Sequence, residues 1–440
     1  MGTQNSSYKF TSKFTSIRRH ALATVACTAL MASAAHAQSL QTWLNQKTMT
    51  GNWNGARTKL EDIGIDLHGG HVGEFADVMS GGKRQGNGYA QQLYYGMTID
   101  LGKLAGLNGT VVNLSFNTRE GRNASADFIG NKLAVQEVYG AGETTRLTEL
   151  SIEQALFDKM LMVKLGLYPM GNDFGSTPIG CDFQNVGFCA HPQNLPNSSG
   201  WADNPTGHWG ARVKLNVTPA LYGEVGVYDV NPTYGNPGNG LKISTSGSTG
   251  ALIPAEIGYT TAFGAAELPG HYKVGVYYDT SKVADAVTPN QLDKGRYGAY
   301  ILADQMLFSF DGTASRGLVG FAQYSVSDAR TAVFANTIAA GLVALGPFDS
   351  RPHDYLNAAY VRAGINHRNI AARQAALAAQ NITTSSLSEG EGLVEVGYGL
   401  AATPWLLIHP NVQYVINPGT FSYKHIPNAW VFGFETKVTF

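Results

Sequence analysis

Val431-Phe432-Gly433-Phe434-Glu435-Thr436-Lys437-Val438-Thr439-Phe440 ends the chain and sorts two chemistries by parity: Phe432, Phe434, Val438 and Phe440 on one side, Glu435 and Lys437 on the other. Successive side chains of an extended strand point to opposite faces. The segment therefore predicts a strand with one apolar and one charged face. In a sandwich the apolar face would be core. In a membrane barrel it meets lipid, and the charges face water inside.

The same alternation recurs upstream. Leu93, Tyr95, Met97, Ile99 and Leu101 oppose Gln92, Tyr94, Thr98 and Asp100; Leu161, Val163, Leu165 and Leu167 oppose Lys164 and Tyr168; Trp209, Ala211, Val213 and Leu215 oppose Arg212, Lys214 and Asn216. Each run is about ten residues, the length of a tilted membrane strand. Sixteen such strands are expected, at 64–75, 91–101, 110–119, 147–157, 161–169, 208–217, 221–230, 254–264, 271–280, 297–308, 316–327, 333–346, 356–367, 391–402, 405–415 and 430–440. The Ala-rich twelfth alternates least clearly. The connections supply an independent criterion. Asp158–Met160, Thr218–Ala220 and Thr403–Pro404 are short, whereas 76–90, 120–146, 170–207, 231–253, 281–296, 368–390 and 416–429 are long. Short periplasmic turns alternating with long outer loops mark an outer-membrane barrel and not a Greek-key sandwich. The expected fold class is all-β: a closed transmembrane antiparallel β-barrel of about 16 strands with long extracellular loops.

Composition agrees. Of 440 residues 52 are Gly, 44% are apolar and only 14% are charged, which argues against disorder and against a coiled coil. Beyond residue 37 no apolar run approaches the roughly 18 residues of a spanning helix. Lys9, Lys13, Arg18 and Arg19 precede an apolar stretch from Ala21 to Ala34, and Ala35-His36-Ala37 follows. This is the pattern of a secretory signal peptide over residues 1–37. Its removal would take the formal net charge from −1 to −5, which gives no reason to expect nucleic-acid binding. Cys27 would leave with it; Cys181 and Cys189 remain as an even pair in an oxidising compartment and read as one short loop disulfide.

Residues 38–63 are expected to form an N-terminal periplasmic segment with a short helix near the barrel mouth, where Arg57 and Glu61 stand at i, i+4 and Gly64 is the expected helix stop. Residues 64–440 are expected to form the barrel. A second helical stretch, Ile370–Gln380, is expected in an outer loop.

Sixteen strands enclose an aqueous lumen. The inward set is polar and mixed in sign: Glu149, Glu153, Lys164, Arg212, Lys214, Lys273, Glu395, Glu435 and Lys437. The longest connection, 170–207, carries Cys181, Asp182, Phe183, Gln184, Cys189, His191 and Trp201. A connection this long is rarely idle; folded inward it would narrow the pore. Sugars present hydroxyls and apolar C–H faces, which suit aromatic platforms beside hydrogen-bonding groups. The candidate constriction is therefore Arg212, Lys214, Lys164, Glu149, Glu153, Asp182 and Trp201, with Arg212 and Lys214 meeting a loop that brings Asp182. The competing reading makes Phe183 and Trp201 the loop's own small core.

Gly51-Asn52-Trp53-Asn54-Gly55-Ala56-Arg57-Thr58-Lys59-Leu60 resembles the N-terminal motif of the OprB-type carbohydrate-selective porins, with Asn52 in place of the usual Asp and Asn54 in place of Gly. Cys181-Asp182-Phe183-Gln184-Asn185 up to Cys189, Leu195-Pro196 to Gly200-Trp201, Trp209-Gly210-Ala211-Arg212 and the terminal Phe440 are similar to that family as well. The resemblance implies an outer-membrane, sixteen-stranded channel for glucose and related small sugars.

Enzyme chemistry is not expected. H-E-x-x-H, G-x-S-x-G and Walker patterns do not occur. Glu149 and Glu153 imitate a glycosidase pair, but an i, i+4 pair on a strand lies roughly 13 Å apart, outside the usual ~5–9.5 Å window. His68 and His71 differ in parity, so no metal site is expected, nor a cofactor. Expected partners are permeating small sugars, outer-membrane lipid and the assembly machinery that reads the C-terminal strand; the strand pattern is compatible with a homo-oligomer as with a monomer. The alternatives to a sugar channel are a general diffusion porin and a secreted β-rich binding protein.

Overall fold

The computed structural model describes residues 40–440 except residues 141, 265–266, 289 and 384–386; the expected signal peptide lies outside the described residues. Sixteen strands form one closed barrel. They are β1 (Ile65–Ser80), β2 (Gly86–Asp100), β3 (Thr110–Gly121), β4 (Thr144–Leu156), β5 (Leu161–Tyr168), β6 (His208–Asn216), β7 (Leu221–Val230), β8 (Gly250–Phe263), β9 (Leu268–Ala284), β10 (Leu292–Ser309), β11 (Gly317–Ser327), β12 (Phe334–Leu345), β13 (Tyr355–Ile365), β14 (Gly390–Thr403), β15 (Leu406–Ile416) and β16 (Ala429–Thr439). Each pairs antiparallel with its chain neighbours, and β1 closes on β16 with Phe75 opposite Phe434 and Gly73 opposite Thr436. Closure leaves no strand edge unpaired, which lipid would not tolerate.

The parity of the final strand is as read. Phe432 and Phe434 remain 37% exposed on the outer face, while Val431 and Glu435 are fully buried inside. The Ala-rich twelfth strand is present. The differences lie at the extracellular ends. β1 and β2 approach to leave only 81–85 between them, and β9 and β10 leave 285–291. Strand ends that rise above the membrane have water near both faces, so no lipid-facing alternation marks them in sequence.

The periplasmic end is tied by the N-terminal segment. It contains α1 (Leu40–Leu44) and α2 (Ala56–Asp62), followed by Gly64 at a positive φ of 93°. The Arg57 guanidinium donates to the Phe440 carbonyl at 3.0 Å and to Thr48 Oγ1 at 2.5 Å. The Met49 amide donates to the Thr439 carbonyl. Asn52 Oδ1 accepts from the Thr58 amide in the first turn of α2 at 3.0 Å. The helix after Ile365, expected at Ile370–Gln380, spans His367–Ala378 and is capped by Asn366, whose side chain accepts from the Arg368 amide.

The lumen is not uniformly polar. On β11–β16 the inner wall carries Phe321, Val343, Val361, Leu393, Val415 and Val431, all buried. They pack in one cluster with Phe183 and Phe188 from the long connection and with Phe128, Ile129, Leu133 and Val135 from the β3–β4 connection. Two infolded loops therefore give half of the barrel a packed interior.

Candidate functional site

The loop from Pro169 to Gly207 descends into the barrel. Its buried backbone groups need partners that water no longer supplies, and inward charges of the wall supply them. Glu256 Oε2 accepts from the Gly175 amide at 2.7 Å. Asp279 Oδ2 accepts from the Gly200 amide at 2.8 Å. The Glu395 carboxylate takes two amides, Gln184 at 2.8 Å and Asn185 at 2.9 Å. Lys273 Nζ donates to the Ser176 carbonyl at 2.9 Å and Lys437 Nζ to the Cys181 carbonyl at 2.7 Å. Lys273, Glu395 and Lys437, expected as water-facing wall charges, are thus loop anchors. Strand parity alone cannot show this, because the chain that covers them is distant in sequence.

Cys181 and Cys189 are disulfide-bonded within this loop. Beside the bond, Phe183 packs on Phe188 and Phe321. The β3–β4 connection is the second inward loop, joined to the first by hydrogen bonds from Val186 N to the Ala134 carbonyl and from Glu137 N to the Gln184 carbonyl. Glu391 Oε1 holds its Lys132 and Leu133 amides, each at 2.6 Å. Sequence reading missed it; its signal was the apolar run Leu133-Ala134-Val135 inside an otherwise polar connection.

Four of the expected constriction residues meet in one ion-pair network at the start of the loop. Arg212 on β6 sends Nη2 to Glu153 Oε2 at 2.5 Å and Nη1 to Asp173 Oδ1 at 2.8 Å, with Glu224 Oε2 at 3.7 Å. Lys164 on β5 pairs with Glu149 at 3.0 Å and reaches Asp173 at 3.9 Å. Register explains the meeting: Glu153 lies opposite Lys164, and Lys164 opposite Arg212. Asp173 and Glu224 complete the network without standing out in the sequence, although Glu224 shares the inward parity of β7 and lies opposite Lys214. Lys214 Nζ sits 3.7 Å above the Tyr222 ring, a cation–π contact.

Two expected members are placed otherwise. The acid that Arg212 meets on the loop is Asp173, not Asp182. Asp182 lies at the opposite wall, where its carbonyl accepts from Asn357 Nδ2. Burial pushes its carboxyl up to about 6, against the pull of Lys437 and His409. Trp201 offers no open ring face. It is 5% exposed, with Tyr277 and Tyr300 edge-on at 6.0 Å and 5.9 Å and His191 tilted at 5.8 Å. Phe183 is fully buried. These aromatics pack between loop and wall, in two separate clusters, because apolar rings on an infolded loop are covered by the wall they dock against.

Among the described residues no group of three or more His, Cys, Asp or Glu side chains is arranged to hold a metal ion.

Comparison with known proteins agrees with this architecture. The sequence model of the family described as carbohydrate-selective porin, OprB family, matches residues 84–440. Porin B of Pseudomonas aeruginosa is 37% identical over 437 residues, covering 93% of this chain and 95% of that protein. The high-pH structure of Pseudomonas putida OprB superposes with a TM-score of 0.85 at 34% identity, covering 90% of this chain and 99% of that one. Salmonella typhi OmpF, in its complex with daunomycin, shares the fold at 11% identity, with a TM-score of 0.52 and coverage of 86% and 98%. The chain is an outer-membrane β-barrel that belongs to the OprB family of carbohydrate-selective porins.

Proposed function

We propose that this porin passes glucose and related small sugars passively into the periplasm through a waist between the inward loop and the β4–β7 wall. The supporting observation is the Arg212 guanidinium, which bridges the wall at Glu153 and the loop at Asp173. A planar fork with five donors suits paired hydroxyls as well as carboxylates. Glu149, Glu153, Lys164 and Lys214 offer further donors and acceptors along the same wall, so a neutral polyol can exchange water for protein hydrogen bonds step by step. Net affinity must stay weak, since a channel that holds its solute stops conducting. Asp182, across the lumen, contributes a titrating charge. Trp201 acts on sugar only by supporting the loop.

The experiment is ion conductance through the protein in a planar bilayer with glucose added. A saturable reduction of current supports a sugar-binding waist. Conductance that falls only as bulk viscosity rises would identify a general diffusion porin.

A further inference from the structure

We propose that the lipid-facing extracellular rim of β13 and β14 carries a second binding site, for the phosphate monoester of an outer-leaflet lipid headgroup. A cleft of about 340 Å³ opens there, lined by Arg362, Ser388, Glu389, Ser422, Lys424 and His425. Its floor is set by strand parity. Leu356 and Tyr360 are exposed on the outside of β13, and Arg362 continues that face three residues below the strand end at Ile365. Gly390 of β14 leaves it room, since a β-carbon there would come within 3.0 Å of Nη2.

Height selects the ligand class. Trp430, 48% exposed on β16, packs tilted against Tyr414 of β15 at 4.6 Å. Asn428 ties this pair to the connection above: its Nδ2 donates to the Tyr414 hydroxyl, and its Oδ1 accepts from the Asn417 amide. Exposed Trp and Tyr mark the membrane–water boundary, so the cleft, formed partly by the 417–426 segment of that connection, opens where headgroups begin.

Charge supports the same class. Arg330 in the β11–β12 connection and Arg368 in the β13–β14 connection hold Asp328 and Asp285. Among the described residues Arg362, Lys424 and His425 make no ion pair with a carboxylate, and Glu389 is the one acid of the lining, exposed to solvent. A guanidinium fork and an ammonium lining one cleft match the acceptor oxygens of a phosphate monoester, while the Ser388 and Ser422 hydroxyls shape its wall by donating to the Gly390 and Lys424 carbonyls. Basic clusters at headgroup height attract anionic lipid. The site is independent of the sugar pathway.

The test is native mass spectrometry of the purified full-length protein in detergent, with bisphosphorylated lipid A, with lipid A stripped of phosphate, and with glucose 6-phosphate as a soluble monoester. The expected result is an adduct with lipid A that the stripped lipid does not form. Arg362→Ala with Lys424→Ala should reduce it at least fivefold, with sugar-dependent conductance unchanged. Glu389→Gln, which removes the acid while keeping the shape, should increase it. Equal binding of stripped lipid A, or full retention by the double variant, overturns the phosphate site. Glucose 6-phosphate binding without lipid A binding overturns the lipid source.

Discussion

Replacing Arg212 by Ala perturbs the proposed waist at its centre. The guanidinium is buried and pairs with Glu153 at 2.5 Å and Asp173 at 2.8 Å, with Glu224 at 3.7 Å. Removing one partner of a fully buried ion pair costs about 3–5 kcal/mol. Here Glu153 is partly open to the lumen and Lys164 stays 3.9 Å from Asp173, so about 2 kcal/mol is the appropriate scale once solvent screening is allowed for. That is enough to shift the first turn of the loop and too little to eject it. The anchors at Glu256, Asp279 and Glu395 remain, each a charged hydrogen bond worth about 1.5–3 kcal/mol. Conductance should therefore rise modestly. Sugar block should weaken several-fold, since one lost hydrogen bond to a neutral solute costs about 1 kcal/mol. Arg212→Lys keeps the charge but loses the fork, so it should fall between. Single-channel recording with glucose titration measures both quantities. If Arg212→Ala leaves conductance and sugar block unchanged, the waist does not lie at this network.

Replacing both Cys181 and Cys189 by Ser removes a short cross-link worth roughly 2–3 kcal/mol by chain entropy; it should make loop 170–207 more protease-sensitive while leaving the barrel folded, as read by limited proteolysis and heat-modifiable gel mobility. Changing Phe432, Phe434 and Phe440 to Asp puts carboxylates on the lipid face of the closing strand, and outer-membrane fractionation should show loss of assembled protein. Asp182 has its carboxyl raised to about 6, so it is charged at pH 7.5 and neutral at pH 5, and its folded-state pKa favours the protonated form as pH falls. Reversal potentials across a salt gradient should show cation preference decreasing over that interval, and Asp182→Asn should remove the component with a midpoint near 6.

Arg57→Ala would test the N-terminal tie in the same way, because the motif that resembled a family signature turns out to grip the carbonyl of Phe440. That link joins residues 383 positions apart, and nothing in the local pattern of Trp53 to Leu60 announces it.

What the sequence determined by itself is the barrel. Period-2 alternation is a local property: whether Phe434 or Glu435 faces lipid follows from one strand's own residues, and the even count with alternating short and long connections then requires antiparallel closure. The inward parity of Glu149, Glu153, Lys164 and Arg212 was legible for the same reason, and register brought them together. The path of the long connection was decided only by tertiary structure. Which wall carboxylate takes which loop amide depends on contacts between residues far apart in sequence, 211 positions for Glu395 and Gln184. Alternation carries no record of such contacts, so Lys273, Glu395 and Lys437 look like water-facing charges in sequence and are anchors in the fold. The same holds for Asp173 against Asp182: both are acids on one loop, and only the docked backbone places the first on Arg212 and the second across the lumen.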